Sequence, residues 1–338
     1  MSPMPPTSPE LLDRVSADAD VPTGRPPRAR RLAAAAALAV STLVLTPALV
    51  AGGPAGQAAA VPTSGSSTKT SALLQPTKSS KGKPGPSNTG VPKGTKLKVH
   101  KGDLTITKDG TVIDGRDIRG YVYVKADNVV IKRSVVRGGT VKNQDRALIM
   151  AWWGAKNLKV TDSTLKASTP SLRLDGLSGS GFTADRLNIS GVVDPVKVIG
   201  GNVTVKRSYL HHSTYSSKDP NQRDGRTHDD SIQITGGSKI NIVNNTLEDA
   251  HNAAIMMSSA RYKTGDITIS GNWLGGGACT INITTADKGA IRDLQIRDNS
   301  FGRGAYGKVC PIRIPRSSKA SMLGNRFWDK SLIKPQRF

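Results

Sequence analysis

Eight times between residues 129 and 327 the chain repeats one eight-residue pattern: apolar, any, apolar, any, any, polar, any, apolar. It reads VVIKRSVV, LKVTDSTL, FTADRLNI, VTVKRSYL, INIVNNTL, ITISGNWL, LQIRDNSF and ASMLGNRF. The polar sixth position falls at Ser134, Ser163, Ser208, Asn245, Asn272, Asn299 and Asn325, and only Leu187 in the third unit departs from it. A second alternating run precedes each copy: YVYV, ALIM, SLRL, PVKV, SIQI, AIMM, TINI and PIRI. Alternation with period two places every other side chain inward, so each unit predicts two short strands. A leucine-rich repeat shares part of the pattern, but these units lack room for a consistent helix and their inward positions are mostly Ile and Val. The expected solution is a parallel β-helix, one coil per unit, with an extra capping coil near residues 99–118 and about nine coils in all. Its asparagines would lie above one another as an amide ladder.

Composition agrees with this all-β reading. Aromatic residues make up only 4% of the chain, and two of its acidic residues are Glu (Glu10 and Glu248), so helix-forming chemistry is scarce. A stack of aliphatic side chains explains how such a chain folds with few large rings. The only cysteines, Cys279 and Cys310, fall at the same place in neighbouring units when CTINI is aligned with CPIRI. That is about one strand spacing, near the lower end of disulfide geometry, and a bond between them is expected.

The first 60 residues read as addressing. Arg25, Arg28, Arg30 and Arg31 precede an apolar run from Leu32 to about Val50, and Ala58–Ala60 offers small residues for cleavage. Export is expected, with a retained membrane anchor as the alternative to cleavage. Residues 61–95 are rich in Pro, Ser, Gly and Lys and contain no acid, which predicts a disordered, solvated linker. The net charge of +23 then divides unevenly, because residues 96–338 alone carry 38 basic and 21 acidic side chains. In an exported protein that excess directs attention to acidic polymers outside the cell, and not to nucleic acid.

The repeat, the asparagine ladder and the export signal resemble the pectate-lyase-like superfamily of right-handed parallel β-helix proteins, particularly secreted actinobacterial members. The resemblance covers residues 99 to about 330. It implies a right-handed parallel β-helix whose relatives include polysaccharide lyases, glycoside hydrolases, epimerases, esterases and non-catalytic adhesins. A monomer is expected.

Candidate chemistry gathers around one anomaly. The step between Ser208 and Asn245 is 37 residues, against 21 to 29 elsewhere, and the excess is the loop at 211–230. His211, His212, His228 and His251, four of the five histidines, lie in or beside it. The outward positions of the strand that follows are expected at Tyr123, Ile149, Arg173, Lys197, Gln233, Met256, Asn282 and Arg313. Arg173 and Lys197 would then be neighbours next to Gln233, beneath His228, Asp229 and Asp230. In β-elimination of a uronate polymer, Arg173 would neutralise the substrate carboxylate and Lys197 or His228 would take the C5 proton. Asp194, Asp229 and Asp230 are the candidate calcium ligands, with Asp230 also a catalytic candidate. Gln233, His251, Asn252 and His212 are candidate substrate contacts.

Two further readings stay open. Inverting hydrolysis would use Asp229 and Asp230 as the carboxylate pair, but the Asn-Thr-Asp, Gly-His-Gly and Arg-Ile-Lys triplets of polygalacturonase-like β-helices are absent. A non-catalytic glycan-binding or cell-surface role would leave the aspartates as loop caps. The expected function is thus action on, or binding of, an acidic polysaccharide or cell-wall glycan, by lyase chemistry if catalytic.

Overall fold

The computed structural model describes residues 82–302 and 309–338; the expected leader and residues 61–81 of the expected linker lie outside them. The described residues contain no helix, and strands build three sheets in which every pairing between named strands is parallel. Two sheets have ten strands and the third has nine, so the chain winds through about nine full coils of a parallel β-helix. The first coil shows the order of the elements: Lys98–Lys101 belongs to the first sheet, Leu104–Ile106 to the second and Val112–Asp114 to the third.

Each coil therefore has three strands where the sequence pattern predicts two. The eight-residue repeat is itself split, as in Val130–Lys132 of the third sheet and Val135–Val136 of the first. The cause is its fifth residue, which takes a left-handed conformation in every copy: φ is 47° at Arg133, 49° at Asp162, 53° at Arg186 and 51° at Arg207. Asn244 and Asp298 both have φ 55°, while glycine fills the same place at Gly271 (65°) and Gly324 (69°). A single left-handed residue between extended neighbours turns the chain sharply, so one run of alternation becomes two strands on two sheets.

The core is an in-register stack. In the second sheet Val122, Ile149, Leu177, Val196, Ile232, Ile255, Ile281 and Ile312 are successive register partners, and all are fully buried. At about 1.5–3 kcal/mol for each large aliphatic side chain removed from water, rows of this kind are the main stabilising term.

The ladder lies just past the left-handed turn. The Asn245 side chain accepts from the Ser208 backbone N–H at 3.0 Å, and its Nδ2 donates to the Val205 carbonyl at 2.8 Å. Asn272 takes the Asn245 N–H at 2.9 Å and donates to the Ile242 carbonyl at 2.9 Å. Asn299 and Asn325 continue the series. Serine does a shorter version of the same work in the earlier coils, where Ser163 Oγ accepts the Ser134 N–H and Ser208 Oγ accepts the Leu187 N–H. Leu187, buried and without an acceptor, interrupts the row.

Cys279 and Cys310 are bonded, with Cα atoms 4.6 Å apart on adjacent coils. Residues 82–95, the last part of the segment read as linker, instead lie on the outside of the first sheet. Lys83 Nζ is 2.6 Å from Glu248, the Gly90 N–H donates to the Arg186 carbonyl, and the Val91 N–H donates to Thr164 Oγ1. Gly90 is required there, since a Cβ would stand 2.6 Å from Thr164 Oγ1.

The ladder generates a test. Asn272→Leu keeps the branching but leaves the Asn245 N–H and the Ile242 carbonyl buried without partners and adds bulk, and should destabilise the fold by about 2–4 kcal/mol in urea unfolding. A loss below about 0.5 kcal/mol would mean that the ladder is not a stabilising element.

Candidate functional site

The outer face of the second sheet, where the groove is expected, has a register that differs from the expected one in two coils. Tyr123, Met150, Ser178, Lys197, Gln233, Met256, Asn282 and Arg313 are successive partners along the outward row. Met150 thus replaces Ile149, which is in the core, and Ser178 replaces Arg173. The error at Arg173 came from reading SLRL as the strand, whereas the strand is Leu174–Gly179. Arg173 precedes it and is held elsewhere, by Asp145 at 2.9 Å and by Asn221 of the long loop at 2.8 Å. The place beside Lys197 belongs to Ser178, whose Oγ accepts from Trp152 Nε1 at 2.8 Å.

Shifting that strand brings in a residue the sequence reading missed. Asp175, Asp194 and Asp230 occupy one register position on three successive coils, each two residues before a core aliphatic partner: Leu177, Val196 and Ile232. The local pattern Asp-x-aliphatic in DGL, DPV and DSI was the signal that would have found all three. They form a carboxylate column along the helix axis. The Asp194 N–H donates to Asp175 Oδ1 at 3.3 Å, and the Asp230 N–H donates to Asp194 Oδ1 at 2.9 Å.

One cation answers the column. Lys197 Nζ lies 3.4 Å from Asp175 Oδ2 and 3.3 Å from Asp194 Oδ2. Burial works against the ammonium, but Asp175 and Asp194 outweigh it and raise the pKa of Lys197. Lys197 is therefore held as a cation and does not fit the role of a neutral base. Burial pushes the carboxyl of Asp175 up to about 6, with Lys197 opposing the shift and Asp194 adding to it. Burial also raises Asp194, again against Lys197. Asp230 is raised well above the ordinary carboxylate range by burial and by the neighbouring Asp194. Its oxygens accept from Asn252 Nδ2 at 2.8 Å and from Gln233 Nε2 at 3.3 Å. Lys197, Asp194, Asp230, Gln233 and Asn252 thus lie together.

The other predicted residues are dispersed around this centre. Asp229 is fully buried and accepts from both the backbone N–H and the ring Nδ1 of His251, at 2.9 and 3.0 Å. Tyr215 from the long loop stacks on the His251 ring with centroids 3.9 Å apart. His228 meets Asp224 of its own loop at 3.1 Å. His212 joins a second cluster at the edge of the first sheet, 3.5 Å from Asp249 and against His211, which stacks on Tyr209.

Of the expected calcium ligands, Asp229 is turned to His251, Asp194 to Lys197 and the Asp230 N–H, and Asp230 to two amides. Among the described residues no group of three His, Cys, Asp or Glu side chains is arranged to hold a metal ion.

Aromatic side chains and the long loop flank the outward row of the second sheet. Trp153, 47% exposed, packs near Tyr123 and under Lys125 on the earlier coils. On the other side the long loop is fixed by its own bonds, with Thr227 Oγ1 donating to buried Asp219 at 2.9 Å and the Thr227 N–H donating to the Ser216 carbonyl at 3.0 Å. Compared with protein-family models, with curated proteins and with solved structures, the chain gives no match.

The column predicts a pH dependence of stability. In the unfolded chain the Asp175 carboxyl loses its proton near the ordinary value of 3.8, but in the folded chain only at about 6. Between these values the folded state holds a proton that the unfolded state has released, so stability falls as pH rises. The contribution is intact below about pH 4 and gone above about pH 6, a loss of about 3 kcal/mol at most. Urea unfolding of wild type and Asp175→Asn at pH 4 and pH 7 should show wild type losing more stability on this rise; equal slopes would refute the shift.

Proposed function

We propose that the protein is an exported, carbohydrate-active member of the pectate-lyase-like β-helix superfamily that cleaves an acidic polysaccharide by β-elimination in the groove of the second sheet. The observation that carries this reading is the contact of Lys197 with Asp175 and Asp194 at 3.4 and 3.3 Å, beside a carboxyl that titrates near neutrality. Elimination needs one cation to neutralise the uronate carboxylate and one base to take the C5 proton. Lys197, its side chain 25% exposed, supplies the cation, and Asp175, at 12%, supplies the base. The electron pair left at C5 forms the C4–C5 double bond, and the departing C4 oxygen takes a proton from solvent.

Hydrolysis by inversion would need two carboxyls in reach of the substrate. Asp194 and Asp230, with 1% and 0% of their surface exposed, lie beneath the groove floor and are supports for Lys197 and Gln233. The roles of the sequence reading are therefore exchanged: Lys197 moves from base to neutralising cation, and Asp175 takes the base. The basic leader, with its apolar run, and the disulfide both support a location outside the cytoplasm. The burial of Asp194 and Asp230 equally favours a second reading, a glycan-binding protein that holds its groove rigid without reacting.

Purified protein incubated with pectate, alginate or glycosaminoglycans, with and without calcium, should release unsaturated products that absorb in the ultraviolet. The rate should rise through about pH 6 as Asp175 ionises. Asp175→Asn and Lys197→Ala should each lower it by about 10²–10⁴-fold with the fold retained by circular dichroism. New reducing ends without ultraviolet absorption would replace elimination by hydrolysis, and binding without cleavage would leave only the glycan-binding reading.

A further inference from the structure

A second charged feature lies away from the groove, at the corner between the third and first sheets in the first coils. A cleft of about 550 Å³ is lined there by Lys93, Lys96, Lys98, Arg116 and Arg133, with Asp114 as its one acidic residue. Asp114 is already taken. Arg133 holds it at 2.5 Å and Lys132 approaches at 3.6 Å, and the Arg133 hydrogen bond brings its pKa below the ordinary carboxylate value. Lys93, Lys96, Lys98 and Arg116 are exposed, and none has an ion-pair partner among the described residues.

The fold holds these cations together. Lys98 and Arg116 are register partners on adjacent parallel strands, so their side chains leave the same face about 4.8 Å apart. Like charges placed directly opposite one another destabilise a sheet. Lys93 and Lys96 flank a tight turn in which the Thr95 N–H and hydroxyl both bond the Pro92 carbonyl, at 3.2 and 2.7 Å. Elsewhere at this corner the chain neutralises its basic residues: Arg186 meets Asp162 at 2.6 Å, and Arg207 meets Asp185 at 2.5 Å. In the first coils the cleft instead presents cations in excess.

The geometry points to an anion-binding site: this cleft binds the sulfate, phosphate or carboxylate groups of an extracellular polyanionic glycan, separately from the groove on the second sheet. Four cations around one concave volume match several oxyanions spaced along a polymer better than one small ion. The spacing of the site from the groove allows a chain to be held without being cut.

Binding of short dextran sulfate to the purified protein, followed by calorimetry with neutral dextran as control, tests this. At an ionic strength of about 0.15 M dextran sulfate should bind, neutral dextran should not, and affinity should fall as salt is raised. The triple change Lys96→Glu, Lys98→Glu, Arg116→Glu should weaken binding by about tenfold or more, whereas Arg316→Glu, Lys319→Glu, Lys334→Glu at the far end, with the same change in net charge, should leave it within about twofold. A milder Lys96→Gln, Lys98→Gln, Arg116→Gln protein, checked by thermal unfolding, guards against misfolding and should weaken binding in the same direction. Equal losses in the two Glu triples would show that bulk charge alone is at work and overturn the proposal. So would the absence of dextran sulfate binding, or tighter binding of a single-stranded oligonucleotide of matched charge through the same three residues.

Discussion

Everything in this molecule depends on coil-to-coil register. Within the sheets each strand residue is laid over a counterpart in the next coil at one strand spacing, about 4.8 Å, with a register shift between Leu247 and Ala250. Stacking like on like is favourable for aliphatic side chains, and the second sheet has eight of them in line. It is favourable for asparagine, which carries donor and acceptor at once and so bonds the coil before it and the coil after it. The disulfide is the same rule applied to cysteine, with Cys279 directly over Cys310.

For charged residues the same rule is adverse, and the chain answers it in three ways. At the corner between the third and first sheets it alternates sign, so that Arg186 and Arg207 find Asp162 and Asp185 one coil away. In the second sheet it stacks Asp175, Asp194 and Asp230 and places one ammonium against two of them. Three carboxylates with one lysine cannot all stay ionised in a buried setting, which is why their pKa values rise together. In the first coils it leaves the repulsion between Lys98 and Arg116 uncompensated. Electrostatic strain is thus concentrated at two places on an otherwise regular solenoid.

How much of this could be read from the sequence follows from the same register. The coils, their order, the ladder and the disulfide were legible because each repeats a residue type at a fixed place. The third strand was not, because a left-handed residue such as Arg133 leaves the alternation on either side of it unbroken. Arg173 was misplaced because SLRL and DGLSG both alternate, and only pairing with the strand Arg146–Ala151 selects the second. With that slip Asp175 was hidden, although DGL, DPV and DSI repeat as plainly as the asparagines. His228 and His212 were grouped with the site by position along the chain, while their rings are drawn to Asp224 and Asp249.

The long loop at 211–230 borders the carboxylate column, and its histidines are not what faces it. Its residues supply a wall: Tyr215 stacks on His251, Asn221 steadies Arg173, and Thr227 with Asp219 stiffens the loop itself. The carboxyls of Asp175, Asp194 and Asp230 lie instead at one repeated register position, on or just before strands that are paired on both sides. A β-helix can hold a side chain rigidly only where coils stack, and can vary its surface only where the chain leaves the stack. Chemistry that needs a carboxyl and an ammonium at fixed separation therefore belongs to the repeat, and selectivity for what enters the groove belongs to the excursion.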